Sequence, residues 1–377
     1  MLMNGIYIHI PFCKKVCYYC DFHFTVSLKD KDALLQSIVS EMNMRSDYLN
    51  TRNIDTIYFG GGTPSVLSTS ELQNILNKIS SLYSIKDDAE ITIETNPDDL
   101  NPQYIKSLQQ MGFNRLSIGV QSFFDEDLKW MNRRHDGQEA ENAIKASQDN
   151  GFGNINIDLI YGLPNLSQER WEKNLQRFLS LNVPHLSAYH LTIEPKTVFG
   201  YYQRKGRLTE IGEEQSLQHY KVLTDTMRLN GYEHYEISNF CKEGRYSRHN
   251  TNYWKRGNYL GLGPSAHSYN GTSRQWNSSV NSDYIKAINN KQLPCEAEQL
   301  TEKERFNDYL LTGLRTVWGV DLSSITNLFG NNYTKKLEKE LLKNSGNQCI
   351  IREGENIRLS EEGMFVSDQI ISGLMAV

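Results

Sequence analysis

Cys13-Lys-Lys-Val-Cys17-Tyr-Tyr-Cys20 lies one residue after the apolar run Ile6-Tyr-Ile-His-Ile-Pro11, which predicts a strand that ends in a short loop. Three thiols with gaps of three and two residues on such a loop can converge on one metal centre. A structural zinc ion normally takes four protein ligands, and a cubane [4Fe–4S] cluster has four irons to ligate. Because no fourth cysteine lies close by, the loop predicts a cluster whose last iron is open to an exogenous ligand.

Three other interpretations of these cysteines exist. Cysteines also pack as small buried hydrophobes. A disulfide would leave the third thiol stranded, in a chain without secretory context. Zinc completed by His9 or His23 is the main competitor, although His9 alternates with apolar neighbours and is typical of a strand residue.

Composition narrows the class of protein. The chain has 377 residues, enough for two domains, with 38% hydrophobic and 23% charged residues, which is ordinary for a globular protein. A net charge of −5 does not favour binding to nucleic acid by overall charge. The sequence contains no apolar stretch long enough to predict stable membrane insertion. Six cysteines, of which Cys241, Cys295 and Cys349 are scattered and unassigned, fit a reducing compartment. We therefore expect a cytoplasmic protein.

Short β-branched runs recur with helical segments between them, the pattern of βα units and a parallel sheet. Their number is compatible with an open doubly wound sheet or a partial barrel. The six predicted strands are 6–10, 54–59, 90–95, 115–121, 154–160 and 185–193.

In either architecture the ligand site lies at the carboxyl ends of the strands. The cysteines, Gly60 to Thr63, Glu94, Gln121 and Asp158 all fall at or near those ends. The alternative is that Glu94, Gln121 and Asp158 only cap turns.

The pattern changes after Ile193. A helix is predicted over 210–229, and the aromatic and polar stretch that follows predicts irregular backbone lining a surface. From Thr301 onward, helices followed by a two-stranded hairpin and a last helix resemble a winged-helix topology. We predict a core of residues 1–235, a connecting segment of residues 236–300 and a small, mostly helical C-terminal domain of residues 301–377.

Gly60-Gly61-Gly62-Thr63 lacks the spaced glycines and the lysine of a phosphate-binding loop, so ATP binding is disfavoured. Adjacent glycines at a strand end permit a close approach of backbone to ligand, with carbonyl and N–H groups available to polar atoms. Beside an iron–sulfur cluster, that ligand could be the amino-acid end of S-adenosylmethionine (SAM).

Taken together, these motifs resemble the radical SAM superfamily and, within it, the oxygen-independent coproporphyrinogen III oxidase family. The resemblance covers most of residues 5–270 and, more loosely, the C-terminal unit. It implies a partial (β/α)6 barrel. The matching stretches are Tyr7 to Phe12, Cys13 to Cys20, Phe59 to Pro64, Glu94 to Pro97, Gly119 to Ser122 and Asn156 to Pro164.

The resemblance also implies roles for individual residues. Cys13, Cys17 and Cys20 would ligate a [4Fe–4S] cluster whose fourth iron binds SAM, and an electron from the cluster would cleave SAM to methionine and a 5′-deoxyadenosyl radical. Tyr19 would pack on adenine, and Arg133 would pair with the SAM carboxylate. The residues implied to surround SAM are Tyr7, Tyr19, Gly61, Gly62, Thr63, Glu94, Gln121, Arg133 and Asp158.

Two branches of the family differ near the third cysteine. The oxidases carry a further Cys two positions after it, whereas this chain has Phe22. Phe22 and the motif His249-Asn-x-x-Tyr253-Trp254 resemble the HemW-type heme chaperones instead. In that branch His249 is a candidate axial ligand of heme, flanked by Tyr253 and Trp254, with a hydrogen-bonded structural role as the alternative. His267 and Cys241 are weaker candidates.

The expected function is therefore a heme chaperone that binds a cluster, SAM and heme, takes electrons from a donor, and passes heme to an acceptor apoprotein. The first alternative is an enzyme that decarboxylates coproporphyrinogen III to protoporphyrinogen IX, with a radical that abstracts a propionate β-hydrogen. The second is a regulatory protein that binds SAM without turnover.

Overall fold

The computed structural model describes residues 3–343, 346 and 348–375. Its first half repeats strand and helix, so the prediction of parallel βα units is confirmed. The strands are β1 (Asn4–Ile10), β2 (Asn53–Gly61), β3 (Ser84–Thr95), β4 (Arg115–Gln121), β5 (Ile155–Tyr161) and β6 (His185–His190). The helices are α1 (Lys31–Met44), α2 (Thr69–Leu82), α3 (Pro102–Gln110), α4 (Asp125–Trp130), α5 (Gly137–Asp149) and α6 (Gln168–Ser180).

Strands β1 to β6 lie side by side in chain order, and every neighbouring pair is parallel. This is the predicted partial (β/α)6 barrel. Each strand places apolar side chains under the helices and polar side chains on the inner face, because successive residues of a strand point to opposite faces. In β1, Ile6, Ile8 and Ile10 are fully buried in the apolar core, whereas Tyr7 and His9 take the inner face.

The prediction of irregular backbone after residue 234 was wrong. The chain continues as α7 (Val198–Arg204), α8 (Glu213–Leu229), β7 (Glu233–Glu236), β8 (Asn239–Cys241), α9 (Arg248–Trp254), β9 (Asn258–Leu262), β10 (His267–Tyr269), β11 (Ser273–Asn277), α10 (Asn281–Asn289) and β12 (Cys295–Gln299). β9 pairs parallel with β1, and β8 pairs antiparallel with β6. These strands are short, and they exist because both edges of the barrel sheet offer unpaired backbone groups.

A buried ion pair fastens the edge strands to the barrel. Glu41 and Arg45 of α1 lie 3.2 Å apart, and both side chains are buried. Glu41 also accepts hydrogen bonds from the Gly263 N–H at 2.9 Å and from the Tyr284 hydroxyl at 2.6 Å. Since Tyr284 belongs to α10, this carboxylate fixes the start of α10 against α1 and the end of β9.

The C-terminal unit has a hydrophobic core of its own, between residues 306 and 374. Its helices are followed by a two-stranded hairpin and then by the last helices, which is the order of elements predicted for a winged-helix-like unit. The elements are α11 (Glu302–Gly313), β13 (Val320–Asp321), α12 (Leu322–Phe329), α13 (Asn331–Lys343), β14 (Ile350–Glu353), β15 (Asn356–Leu359), α14 (Glu361–Phe365) and α15 (Ser367–Leu374). The domain boundaries stay predictions, and the outer ends of the predicted domains, residues 1 and 377, lie outside the described residues.

Among the described helices, none is both long enough and apolar enough to cross a membrane.

Candidate functional site

A cavity of about 520 Å³ opens at the carboxyl ends of the barrel strands. All three motif cysteines and most of the residues predicted to surround SAM line it together, although they come from distant parts of the chain. The lining includes Cys13, Cys17, Tyr19, Cys20, Gly61, Gly62, Thr63, Glu94, Gln121, Arg133 and Asp158.

Backbone contacts fix the loop that carries the cysteines. The Cys13 N–H donates to the Thr25 carbonyl at 2.9 Å, and the Tyr18 N–H donates to the Met131 carbonyl at 3.1 Å. The Asn132 side chain donates to the Val16 carbonyl at 2.7 Å. The loop is thus held at both ends and in the middle, with its thiols facing the cavity.

The thiols have polar neighbours and form no disulfide. The Thr63 hydroxyl lies 3.3 Å from Cys13 Sγ, and Arg133 Nη1 lies 3.3 Å from Cys17 Sγ. Burial raises the pKa of Cys13 to about 11 and that of Cys20 to about 12, so both are thiols at neutral pH. A bound metal centre is what would hold them as thiolates.

Zinc completed by a histidine has no support. His9 uses Nδ1 for the Tyr7 hydroxyl and Nε2 for the His23 carbonyl, and His23 Nε2 bonds the Asn281 side chain. Over residues 3–343, 346 and 348–375, no group of three or more His, Cys, Asp or Glu side chains is arranged to hold a metal ion. The cysteine ligands of a cubane cluster bind different iron atoms. Their sulfur atoms therefore lie farther apart than the ligands of a single metal ion.

The glycine stretch acts differently from the prediction. The Gly61 N–H donates to Glu94 at 3.2 Å, and the Gly62 N–H donates to the Ile10 carbonyl at 2.8 Å, so neither N–H is available to a ligand. Gly61 has φ +114°, and a Cβ there would lie 2.7 Å from the His9 ring. The glycines let the end of β2 approach β1, and Gly61 and Gly62 still line the cavity.

Two carboxyl groups of the cavity lining have raised pKa values. Burial raises the pKa of Glu94 to about 7 and that of Asp158 to about 6. The Tyr58 hydroxyl donates to Glu94 at 2.8 Å, and the Asn156 side chain donates to Asp158 at 2.7 Å. A cationic ligand would favour the ionised form of both.

Arg133 is a buried cation of the cavity lining, and one of its donor atoms has no partner. Its Nη2 donates to the Asn96 side chain at 2.7 Å and to the Gly119 carbonyl at 2.6 Å, but its buried Nε has no hydrogen-bond partner among the described residues. A buried donor without a partner is costly, so this atom suits an anionic ligand group. Asn96, which also bonds Thr63, was missed by the sequence analysis, although it follows β3 two residues after Glu94.

Four predicted residues lie outside the cavity lining. Tyr7 stacks on Tyr58, with ring centroids 6.1 Å apart. His249, Tyr253 and Trp254 belong to α9, which covers the amino-terminal ends of the strands.

His249 is 1% exposed, and both of its ring nitrogens are in use. Nδ1 bonds the Thr56 hydroxyl at 2.8 Å, and Nε2 bonds the Tyr253 hydroxyl at 2.7 Å. The ring stacks on Tyr58 at 5.0 Å. These contacts match the structural alternative stated for His249. An iron atom would have to displace one of the two hydroxyls.

Comparison with known proteins agrees with this arrangement. Residues 7–178 match the radical SAM superfamily, and residues 300–366 match the HemN C-terminal domain. The fold and the three-cysteine cavity therefore define a radical SAM protein.

The chain is 33% identical to "Heme chaperone HemW" of Bacillus subtilis, with 99% of each chain covered. It is 39% identical to "Heme chaperone HemW" of Escherichia coli, with 70% of this chain and 69% of that protein covered. The chain therefore belongs to the HemW family.

A solved structure shares the fold over the whole chain. The coproporphyrinogen III oxidase HemN of Escherichia coli superposes with a TM-score of 0.87 at 23% identity, covering 100% of this chain and 90% of that one.

The contacts of His249 predict that it stabilises the fold. His249→Ala leaves the Thr56 and Tyr253 hydroxyls without their partner and opens a cavity beside Tyr58. We expect a loss of about 3 kcal/mol, measured as a lower urea midpoint. His267→Ala, at an exposed imidazole, is the matched control and should change stability by no more than about 0.5 kcal/mol. Equal midpoints for both variants would contradict a structural role.

Proposed function

We propose that this chain is a heme chaperone that holds a [4Fe–4S] cluster and SAM in the barrel cavity and passes heme to an acceptor apoprotein. The observation that carries the proposal is the three-cysteine loop facing that cavity, in a chain that matches HemW proteins along its whole length. Electrons would come from a separate donor protein, and the reducing environment that the thiols need favours the cytoplasm.

The residues present fit both cofactors. Cys13, Cys17 and Cys20 would ligate three irons of the cluster. Arg133, with its unpartnered Nε, would pair with the SAM carboxylate, and Glu94 would accept from the ammonium or ribose groups. When bound, the cluster supplies the electron that cleaves SAM and releases a 5′-deoxyadenosyl radical.

Tyr19, Thr63, Gln121 and Asp158 would complete the SAM site from the cavity wall. His249, Tyr253 and Trp254 stay predicted heme contacts, which the burial of His249 and its bond to Tyr253 do not favour.

The alternative is oxygen-independent coproporphyrinogen III oxidation. Against it stand Phe22, where the oxidases carry a further cysteine, and the names of the full-length relatives. The likeness to HemN at 23% identity concerns the fold.

Anaerobic titration of the reconstituted protein with heme separates the two functions, if coproporphyrinogen turnover is assayed on the same sample. We expect saturable binding of one heme per chain and no protoporphyrinogen. Transfer is then measured by mixing the heme-loaded chain with an apo-hemoprotein and following that protein's own absorption. Turnover without heme binding would instead assign the chain to the decarboxylases.

The cluster assignment is tested with Cys17→Ala. Loss of one of three ligands should abolish the broad iron–sulfur absorption and SAM cleavage, while the far-ultraviolet circular dichroism stays that of the folded chain. Cys295→Ala is the matched control, because Cys295 lies on β12 outside the cavity lining. A full cluster in Cys17→Ala would refute the ligand set.

The titration of Glu94 predicts how SAM binding depends on pH. SAM carries positive charge, so it binds the ionised carboxylate, and its affinity falls as the pH drops through the pKa of about 7. We expect roughly tenfold weaker binding at pH 6 than at pH 8, measured by equilibrium dialysis of the cluster-loaded protein. Glu94→Gln should flatten this dependence, and Glu172→Gln, at a half-buried carboxylate on α6 outside the cavity lining, should keep it. An unchanged profile in Glu94→Gln would exclude Glu94 as its source.

A further inference from the structure

The location of the histidines limits where heme can be ligated, because imidazole is a common axial ligand of heme iron. His234 is packed on Phe240, with ring centroids 4.2 Å apart. His190 is bonded to the Ser216 hydroxyl and to the backbone of Leu191. Five of the nine histidines are buried: His9, His135, His185, His219 and His249. Two imidazoles remain that reach solvent and have an uncommitted nitrogen, those of His23 and His267.

His23 is already arranged as a ligand. Its Nε2 lies 2.8 Å from the Asn281 side-chain oxygen, which can only accept, so Nε2 carries the proton and Nδ1 carries the lone pair. Metal-ligating histidines almost always donate their other ring N–H to an oxygen in this way. His9 fixes the backbone of His23, because His9 Nε2 donates to the His23 carbonyl at 3.0 Å. The two imidazole rings also stack, with centroids 5.8 Å apart. His267 has no such bond and stacks on Trp276 at 6.3 Å.

Exposed apolar side chains flank His23 in the sequence, and a further one precedes its partner Asn281. Phe22, Val26 and Leu28 are 74%, 50% and 47% exposed, and Val280, which precedes Asn281, is 50% exposed. We call these four residues the loop patch. They are four of the twelve large hydrophobic side chains exposed on the described chain, and such clustering marks a binding surface.

A charge lies next to the loop patch. Lys29 directly follows Leu28, and it has no carboxylate within 4 Å among the described residues. A flat apolar macrocycle with two propionates and an iron atom matches this combination of apolar side chains, a free cation and an imidazole nitrogen. Phe22 also lines the cavity, so a ligand on the loop patch would lie at the cavity mouth.

We propose that heme binds on the loop patch with His23 Nδ1 as its axial ligand and Lys29 beside a propionate. The site rests on the proposed function, because it presumes that this chain binds heme. The hydrogen bond to Asn281, the first residue of α10, orients the His23 ring.

The test is anaerobic heme titration of the full-length, cluster-loaded chain, followed by absorption and magnetic circular dichroism. His23→Ala should lose the histidine-ligated Soret spectrum and at least tenfold in heme affinity, while cluster absorption and SAM binding stay unchanged. Added imidazole should restore the ligated spectrum, which a merely structural role of His23 would not allow. His267→Ala should keep the wild-type spectrum and affinity.

A second pair of variants tests the surface. Val26→Asp adds a charge to the loop patch and should weaken heme binding at least fivefold. Leu229→Asp, at an exposed leucine that ends α8, should leave heme binding unchanged.

The outcomes distinguish failure of the proposed heme site from failure of the proposed function. Absence of heme binding by the wild-type chain would sink the proposed function, and the site with it. Normal ligation in His23→Ala, with loss in His267→Ala or His249→Ala, would overturn the site and leave the function intact. If His23→Ala does not fold, Val26→Asp decides, and wild-type affinity in that variant overturns the site.

Discussion

The carboxylate of Glu90 closes one end of the barrel, and the inner face of the sheet depends on that closure. Glu90 is buried and accepts the N–H groups of Arg248 at 3.0 Å and His249 at 2.9 Å, which are the first two residues of α9. N–H groups in the first turn of a helix have no partner within the helix, so a buried helix start needs such an acceptor. With α9 seated, His249 bonds Thr56 of β2, and water is excluded from the closed end.

The two ends of the inner face differ in how their central side chains are bonded. At the closed end, His185 bonds Asn156 at 2.5 Å and Tyr235 at 2.8 Å, which uses both ring nitrogens. At the open end, Arg133 keeps an unpartnered Nε, and burial raises the pKa of Glu94. Buried polar groups left in this condition cost stability unless a ligand completes them. The same inner face therefore stabilises the barrel at its closed end and, in the proposed function, would bind a ligand at its open end.

The sequence predicted what depends on local pattern. Six β-branched runs predicted the six barrel strands, and the spacing of Cys13, Cys17 and Cys20 predicted a loop that faces the strand ends. Placement at the carboxyl ends of the strands also predicted that Glu94 and Asp158 would line one cavity. These features follow from alternation and from the geometry of parallel sheets.

What could not be predicted depends on pairing between distant residues. β9 is a strand because the edge of β1 is open, and nothing in Asn258 to Leu262 itself requires one. His249 lies in a motif rich in aromatic and polar residues, which indicated an accessible surface, but a partner more than 150 residues away in Glu90 buries it. Burial of this kind becomes visible only once the barrel is closed.

The size of the cavity bears on what the chain does with a porphyrin. About 520 Å³ lies within the range of pockets that enclose a single small ligand, and in the proposed function SAM beside the cluster would occupy that space. A porphyrin would then meet the cavity only at its mouth, where Phe22 replaces the additional cysteine of the oxidases. An exposed phenyl ring there adds apolar contact area and no reactive thiol. If the chain binds heme as proposed, Phe22 would contact the macrocycle at the mouth and would offer no thiol for chemistry on its propionates.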